Sequence, residues 1–521
     1  MTNPSTLYRG GVLHCPADPS ATALLVSGGR IAWLGTDGDV PPADRVVDLG
    51  GALVTPAFVD AHVHATDTGL ALSGLELSGV RSAGQLLDAV AGFAAGLPAD
   101  AVVLGHGWDE SGWSDATLPD AAALDRAAGG RRVYLSQASI HSALVSSALL
   151  AACPQAADAP GYDASGWLRR DAHHVVRAAA QGSVTRAQRV AAQRVALAHA
   201  ASLGIAAVHE CGGPEISDEE DFTGLLGISG AGLPEVYGYW GELGGAARAR
   251  ELGAVGAGGD LFADGALGSR TAHVSQPYGD GEGCGHGYLS AEQVRDHLVD
   301  CAAHGLQGGF HAIGDAAIGT VLDGFAAAAA TLGVERLRAA RHRIEHAEIM
   351  NKRMIARFVE YGVVASMQPA FDRLWGGAGR MYEARLGLDR SLESNPMGAM
   401  HSVGVALAFG SDSPVTPLDP WGSVRAAASH HNPAQRMGVR SAFAAHTRGG
   451  WRAVHLDVEG VLALGAPATF AVWSTPAGVE RGLPVLLAED PEARGPDDPT
   501  PLPVCRRLVL RGEVIYEEGS S

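Results

Sequence analysis

Lysine is almost missing from this 521-residue chain: Lys352 is the only one, and every other basic side chain is arginine. Basic residues number 38 against 57 acidic ones, a net charge of −19 that disfavours nucleic acids and anionic membranes as partners. No run of ~18 apolar residues stands out, so no membrane-spanning helix is expected. The N-terminus Met1-Thr-Asn-Pro-Ser5 lacks the charged and apolar segments of an export signal. Cys15, Cys153, Cys211, Cys284, Cys301 and Cys505 form no Cys-x-x-Cys pair, which fits reduced thiols better than a disulfide framework. A soluble, cytoplasmic protein is the expectation. Neither a basic cluster nor a phosphate-cradling glycine loop marks a phosphorylated substrate.

What is present is a core. At 46% hydrophobic and 18% charged residues, the chain folds, and its length suits a large barrel with additions. Eight short apolar runs punctuate the middle: 58–64, 204–210, 235–240, 260–264, 309–315, 343–348, 363–368 and 406–412. Ala-rich helical stretches lie between most of them, such as Ala291–His304, Ala316–Leu332 and Lys352–Tyr361. Eight strand–helix units predict a (β/α)8 TIM barrel over 55–463, with its chemistry at the C-terminal strand ends. Both chain ends read instead as short strands with tight turns, predicting one small β-sandwich domain from 1–54 and 464–521. Far more chain than one helix needs separates the first two runs. A capping subdomain inserted over about 72–185 is expected there.

The chemistry is densest in Pro56-Ala-Phe-Val-Asp-Ala-His-Val-His64. Residues two apart on a strand point the same way, so His62 and His64 aim two imidazoles at one spot, as two ligands of a divalent metal do. Alone, His-x-His is more often a hydrogen-bonded pair. Further strand ends decide the matter: His311, His346 and Asp412 close runs five, six and eight. His209-Glu210 closes run two, where Glu210 is a candidate ligand or the pair orients His62 or His64. Asp315 reads as a helix cap. Asp264-Gly265 either lines the pocket or turns the chain.

With Phe262-Ala-Asp-Gly-Ala-Leu-Gly-Ser-Arg-Thr-Ala272, His311-Ala-Ile-Gly-Asp315, Arg343-Ile-Glu-His346, Gly410-Ser-Asp-Ser-Pro-Val-Thr-Pro417 and Trp421, the chain resembles the amidohydrolase superfamily. Within it, the chain is similar to the YtcJ-like branch, which includes N-substituted formamide deformylases. The resemblance implies that His62, His64, His311 and Asp412 bind a metal whose bound water has its pKa lowered to roughly 7. Asp412 would take that water's proton and pass it to the leaving nitrogen. His346 would ligate a second metal or polarise the substrate carbonyl. Many relatives bridge two metals with a carbamylated lysine, but Asp260 stands at the matching position and Lys352 cannot serve. One ion, zinc by preference, is therefore expected. Asp260 and Glu210 are the remaining candidate bridges, with Asp260 expected to be too short to span two ions unless the backbone moves.

Trp108, Trp113, His141, Tyr239, Trp240, Trp375 and Trp421 fall near predicted mouth loops. They suggest a largely apolar pocket, with Trp108, His141, Asp264 and Trp375 as substrate contacts. The expected activity is metal-dependent hydrolysis of a small N-formyl or N-acyl amine. Hydrolytic deamination of an aminated heterocycle is the alternative within enzymes, and a non-catalytic ligand-binding protein is the alternative outside them. A small molecule is the expected partner, with homodimerisation left open.

Overall fold

The computed structural model describes residues 4–138, 142–490, 493–495 and 497–519. It divides into two compact units, Met1–Ala65 with Leu197–Ser521, and Thr66–Ala196.

The first unit is built on an eight-stranded parallel sheet. Its strands are β1 (Phe58–Val63), β2 (Ile205–Gly212), β3 (Glu235–Trp240), β4 (Gly256–Ala257), β5 (Gln307–Ala312), β6 (Arg343–His346), β7 (Val364–Met367) and β8 (Ala406–Phe409). Neighbours in sequence pair in order from β1 to β8. The ring closes where Asp412 N donates to His62 O (2.8 Å) and His64 N to Ser413 O (2.9 Å). Buried runs without polar alternation explain the parallel order, since both faces of each strand are covered. Helices α1 (Ala291–His304), α2 (Asp315–Leu332) and α3 (Lys352–Tyr361) fall where the sequence places them. Helix α2 is 18 residues long and apolar enough to cross a membrane by length and composition alone. Its apolar character has a packing reason, because Ile318, Val321, Leu322 and Phe325 are buried.

One barrel strand departs from expectation. The fourth was expected at 260–264, yet β4 ends at Ala257. Gly258 and Gly259 follow with φ of 154° and 77°, and a Cβ on Gly258 would lie 2.2 Å from Gly309 N. Only glycines allow the chain to turn and pass so close to β5. Asp260 is thereby carried past the strand end.

Strands from both chain ends pair with one another. Leu53–Pro56 runs antiparallel to Phe470–Ser474 inside a five-stranded sheet, and Thr6–Arg9 lies in a separate four-stranded sheet. One apolar cluster, including Tyr8, Leu24, Val54, Phe470 and Val509, draws on both.

The second unit holds its own five-stranded sheet and a core around Leu86, Val103, Leu124 and Leu135. It begins earlier and ends later than the expected 72–185. Gly69 and Ala192 explain the difference, because a Cβ on Gly69 would lie 1.8 Å from Ala192 O: the helices at the two ends are in backbone contact.

Candidate metal centre

Six side chains converge beyond the C-terminal ends of the barrel strands. His62 and His64 leave β1 on the same side, as their spacing requires. His311 ends β5, His346 ends β6 and Asp412 follows β8. His346 and Asp412 have left-handed φ of 68° and 57°. Non-glycine residues in that region cost of order 1–3 kcal/mol each and concentrate at functional sites.

Asp260 sits among them. Its Oδ1 lies 3.5 Å from His62 Nε2, 3.4 Å from His311 Nδ1 and 3.8 Å from His346 Nε2. Its Oδ2 lies 3.3 Å from His64 Nε2. Asp412 Oδ1 faces His62 Nε2 (3.5 Å) and His64 Nε2 (3.2 Å). The Gly258-Gly259 turn carries Asp260 to within 3.3–3.8 Å of all four imidazoles. His62, His64 and Asp412 form one tight group and His62, Asp260 and His346 another, with His311 Nδ1 3.4 Å from Asp260 Oδ1.

Electrostatics follow from burial and proximity. Burial works against a charge on His64, but the Asp260 and Asp412 carboxylates outweigh it and hold the imidazole pKa well above its usual value. Burial likewise pushes Asp260 up, and the surrounding His62, His311 and His346 bring it well below the usual carboxylate range. Burial and the nearby His311 lower the pKa of His346.

The donor set fits a divalent metal on a second observation. His62 Nε2, His311 Nδ1, His346 Nε2 and Asp260 Oδ1 are buried and have no hydrogen-bond partner. Unsatisfied buried polar atoms are rare and costly, and four facing one point are what an ion would satisfy. The other ring nitrogens of these three histidines are already fixed, whereas His64 Nδ1 is buried without a hydrogen-bond partner. His62 Nδ1 meets Glu345 Oε2 at 2.9 Å, His346 Nδ1 meets Gln368 Oε1 at 2.8 Å, and His311 Nε2 meets Gly265 O at 3.2 Å. Such partners orient ligating imidazoles and fix their tautomer.

Glu345 belongs to a buried network centred on Arg343. Arg343 donates to both Glu345 oxygens (2.5 and 2.8 Å), to Ala61 O and to Ser366 Oγ. Burial would raise the Glu345 pKa, but Arg343 and His62 hold it far below the carboxylate range. His209 Nδ1 lies 3.1 Å from Arg343, and burial with that cation keeps the ring neutral, so Nδ1 accepts. His209 is thereby linked to His62 through Arg343 and Glu345. The alternation Arg343-x-Glu345 on a buried strand was the available signal.

Several other expectations are redirected. Glu210 accepts from Ala65 N at 2.8 Å, anchoring the chain after β1, and belongs to none of the tight ligand groups among the described residues. Asp264 is no substrate contact: fully buried, it accepts from Ile313 N, Gly314 N and His273 N at 2.8–2.9 Å. Asp315 begins α2 behind the cap residue Gly314, and its carboxylate takes the Ser275 backbone N–H instead. Trp108 is fully buried in the core of the second unit, donating to Leu135 O at 2.8 Å, which removes it from a substrate surface. His141 lies outside the described residues.

A cavity of about 310 Å³ opens on the cluster, lined by His64, Asp260, His311, His346 and Asp412. Its apolar wall comes from Leu267, Phe371, Trp375, Met381 and Tyr382. Trp375 alone of the expected mouth aromatics lines it. Trp240 and Trp421 are core residues, and Tyr239 lies under the Arg343 guanidinium at 4.4 Å. Helix α4 (Pro369–Trp375) supplies Phe371 and Trp375 just after β7. Glu348 also lines the cavity; burial raises its carboxyl to about 7 although Tyr382 donates to it.

A sequence model described as the amidohydrolase family matches residues 45–516, and the chain belongs to that family. An amidohydrolase named YtcJ from Bacillus subtilis (strain 168) is 27% identical over 275 residues, which are 50% of this chain and 47% of that protein. Protein LONG AFTER FAR-RED 3 of Arabidopsis thaliana is 33% identical over 225 residues, 41% of this chain and 38% of that one. The chain thus spans about half the length, or less, of these relatives. A crystal structure of an uncharacterized metal-dependent hydrolase from Pyrococcus furiosus superposes with a TM-score of 0.74 at 24% identity, covering 90% of this chain and 98% of the other. That likeness establishes the shared fold.

Proposed function

We propose that the protein is a metal-dependent hydrolase that cleaves the C–N bond of a small N-formyl or N-acyl amine. The observation that carries this reading is the convergence of His62, His64, His311, His346, Asp260 and Asp412 at a mostly apolar cavity, with four buried donor atoms left unpartnered. His62, His64 and Asp412 would hold a divalent ion, zinc by preference, with Asp260 shared between them and the pair His311 and His346. A cation held there acts as a Lewis acid and lowers the pKa of water to roughly 7.

The chain's own groups do the rest. Asp412 borders the cavity and is placed to take a proton from the attacking water and deliver it to the leaving nitrogen. His346, with Nδ1 fixed by Gln368, presents Nε2 to the cluster, which of the two roles the resemblance implies suits a ligand better than a carbonyl-polarising donor. Phe371 and Trp375 exclude water and receive the apolar part of the amide. Residues 1–54 and 464–521, sharing one apolar cluster, suit a composite β-sandwich supporting the barrel.

The test combines metal quantification with hydrolysis of a panel of N-formyl and N-acyl amines. His62→Ala should lose both metal and activity while keeping its circular dichroism spectrum. Full activity in metal-free protein would refute the reading. Release of ammonia from aminated heterocycles, with no carboxylate from any amide, would move it to a deaminase.

A further inference from the structure

One cavity carboxylate has no part in the metal cluster. Glu348 is 2% exposed and lines the cavity two residues beyond His346. Its position is fixed from two sides: its backbone carbonyl accepts from Asn395 N at 2.8 Å, and Tyr382 OH donates to its Oε2. No lysine or arginine lines this cavity, and no ion pair of Glu348 occurs among the described residues. Glu345, equally buried and three residues away in sequence, has the Arg343 guanidinium. Burying a carboxylate without a cation is costly, so an acid in a ligand cavity invites a cation from the ligand.

The walls beside Glu348 agree with that reading. Phe371 and Trp375 have ring centroids 4.7 Å apart, and Trp375 and Tyr382 6.3 Å apart, so the three rings form a chain whose last member, Tyr382, donates to the Glu348 carboxyl. All three line the cavity with Glu348. Aromatic faces attract a desolvated ammonium through their quadrupole, and a carboxylate among them adds charge and a hydrogen-bond acceptor.

We propose that Glu348, with Phe371, Trp375 and Tyr382, forms a subsite for a protonated nitrogen, so that the preferred substrate is an amide whose apolar group ends in an ammonium. The subsite rests on the reading of the cavity as a substrate pocket. It is tested by binding, independently of turnover. Hexylammonium and hexanol are titrated calorimetrically into zinc-loaded protein and into its Glu348→Gln variant, in which the amide oxygen can still accept from Tyr382.

Hexylammonium should bind about tenfold tighter than hexanol, as expected for a desolvated cation among aromatic rings. Glu348→Gln should remove most of that preference while leaving hexanol affinity within about twofold, since the apolar wall is kept. Trp375→Ala should weaken both ligands. Equal or tighter binding of hexanol would overturn the subsite, as would unchanged hexylammonium affinity in Glu348→Gln. Matched N-acyl amines with ammonium or methyl termini form the second arm. If hexylammonium binds as described while no amide is hydrolysed, the hydrolase reading fails and the cation subsite stands.

Discussion

Glu345 Oε2 accepts from His62 Nδ1 at 2.9 Å inside the barrel, and Arg343 holds both oxygens of the same carboxylate. His62 therefore meets the cluster with Nε2, because its other nitrogen is committed. The relationship separates two consequences, one for metal affinity and one for stability. Glu345→Gln keeps the shape and should weaken metal binding about 10–100-fold, the usual effect of losing a partner of a ligating histidine. Glu345→Leu also strands the buried Arg343 guanidinium and should cost about 3–5 kcal/mol of stability. Competition with a chelating indicator reads the first, and urea unfolding reads the second.

Asp260 is the sharpest test of the cluster, since one carboxylate touches all four histidines. Asp260→Asn removes the charge at nearly constant volume. Metal content after dialysis should fall by more than for any partner of the ligands, about a hundredfold or more in affinity. Unchanged content by plasma emission spectrometry would make Asp260 a bystander.

Gly258 is predicted to matter through backbone alone. A methyl group there meets Gly309 N at 2.2 Å, with φ at 154°. Gly258→Ala should destabilise the barrel by about 2–4 kcal/mol, in the range of strain at a special backbone position. Thermal unfolding checks this, and metal content should drop in parallel because the turn places Asp260. A stable variant with full metal would show that Asp260 is positioned otherwise.

Trp108 separates packing from recognition. Trp108→Phe keeps most of the apolar volume but loses the hydrogen bond to Leu135 O, so stability should fall by about 1 kcal/mol. KM for any hydrolysed amide should not change. A raised KM with unchanged stability would return Trp108 to the substrate surface.

Chelation should lower the melting temperature as well as activity. An ion bound only by the folded state stabilises it by RT ln(1 + [L]/Kd), about 4 kcal/mol at a thousandfold excess over Kd. Differential scanning calorimetry with and without a chelator, then with added zinc, should show a reversible shift. No shift would argue against tight binding by these six groups.

The sequence by itself determined the barrel order, because strand-ending polar residues recur after apolar runs and the helical stretches between them are continuous. Helices α1 and α3 match their expected limits to the residue. It also determined which histidines meet, since His62 and His64 share a strand face and His311 and His346 end strands pairing side by side. Tertiary structure alone decided the role of Asp260. Its reach depends on a two-glycine turn held against β5, a contact between residues about fifty positions apart that no local pattern encodes. The pocket wall was hidden for the same reason. Phe371, Trp375 and Tyr382 adjoin Glu348 only through packing, whereas Trp108 and Trp421, which looked like mouth residues, found cores of their own. Local periodicity fixes which way a side chain leaves its strand; what it meets there is set by how distant segments close over it.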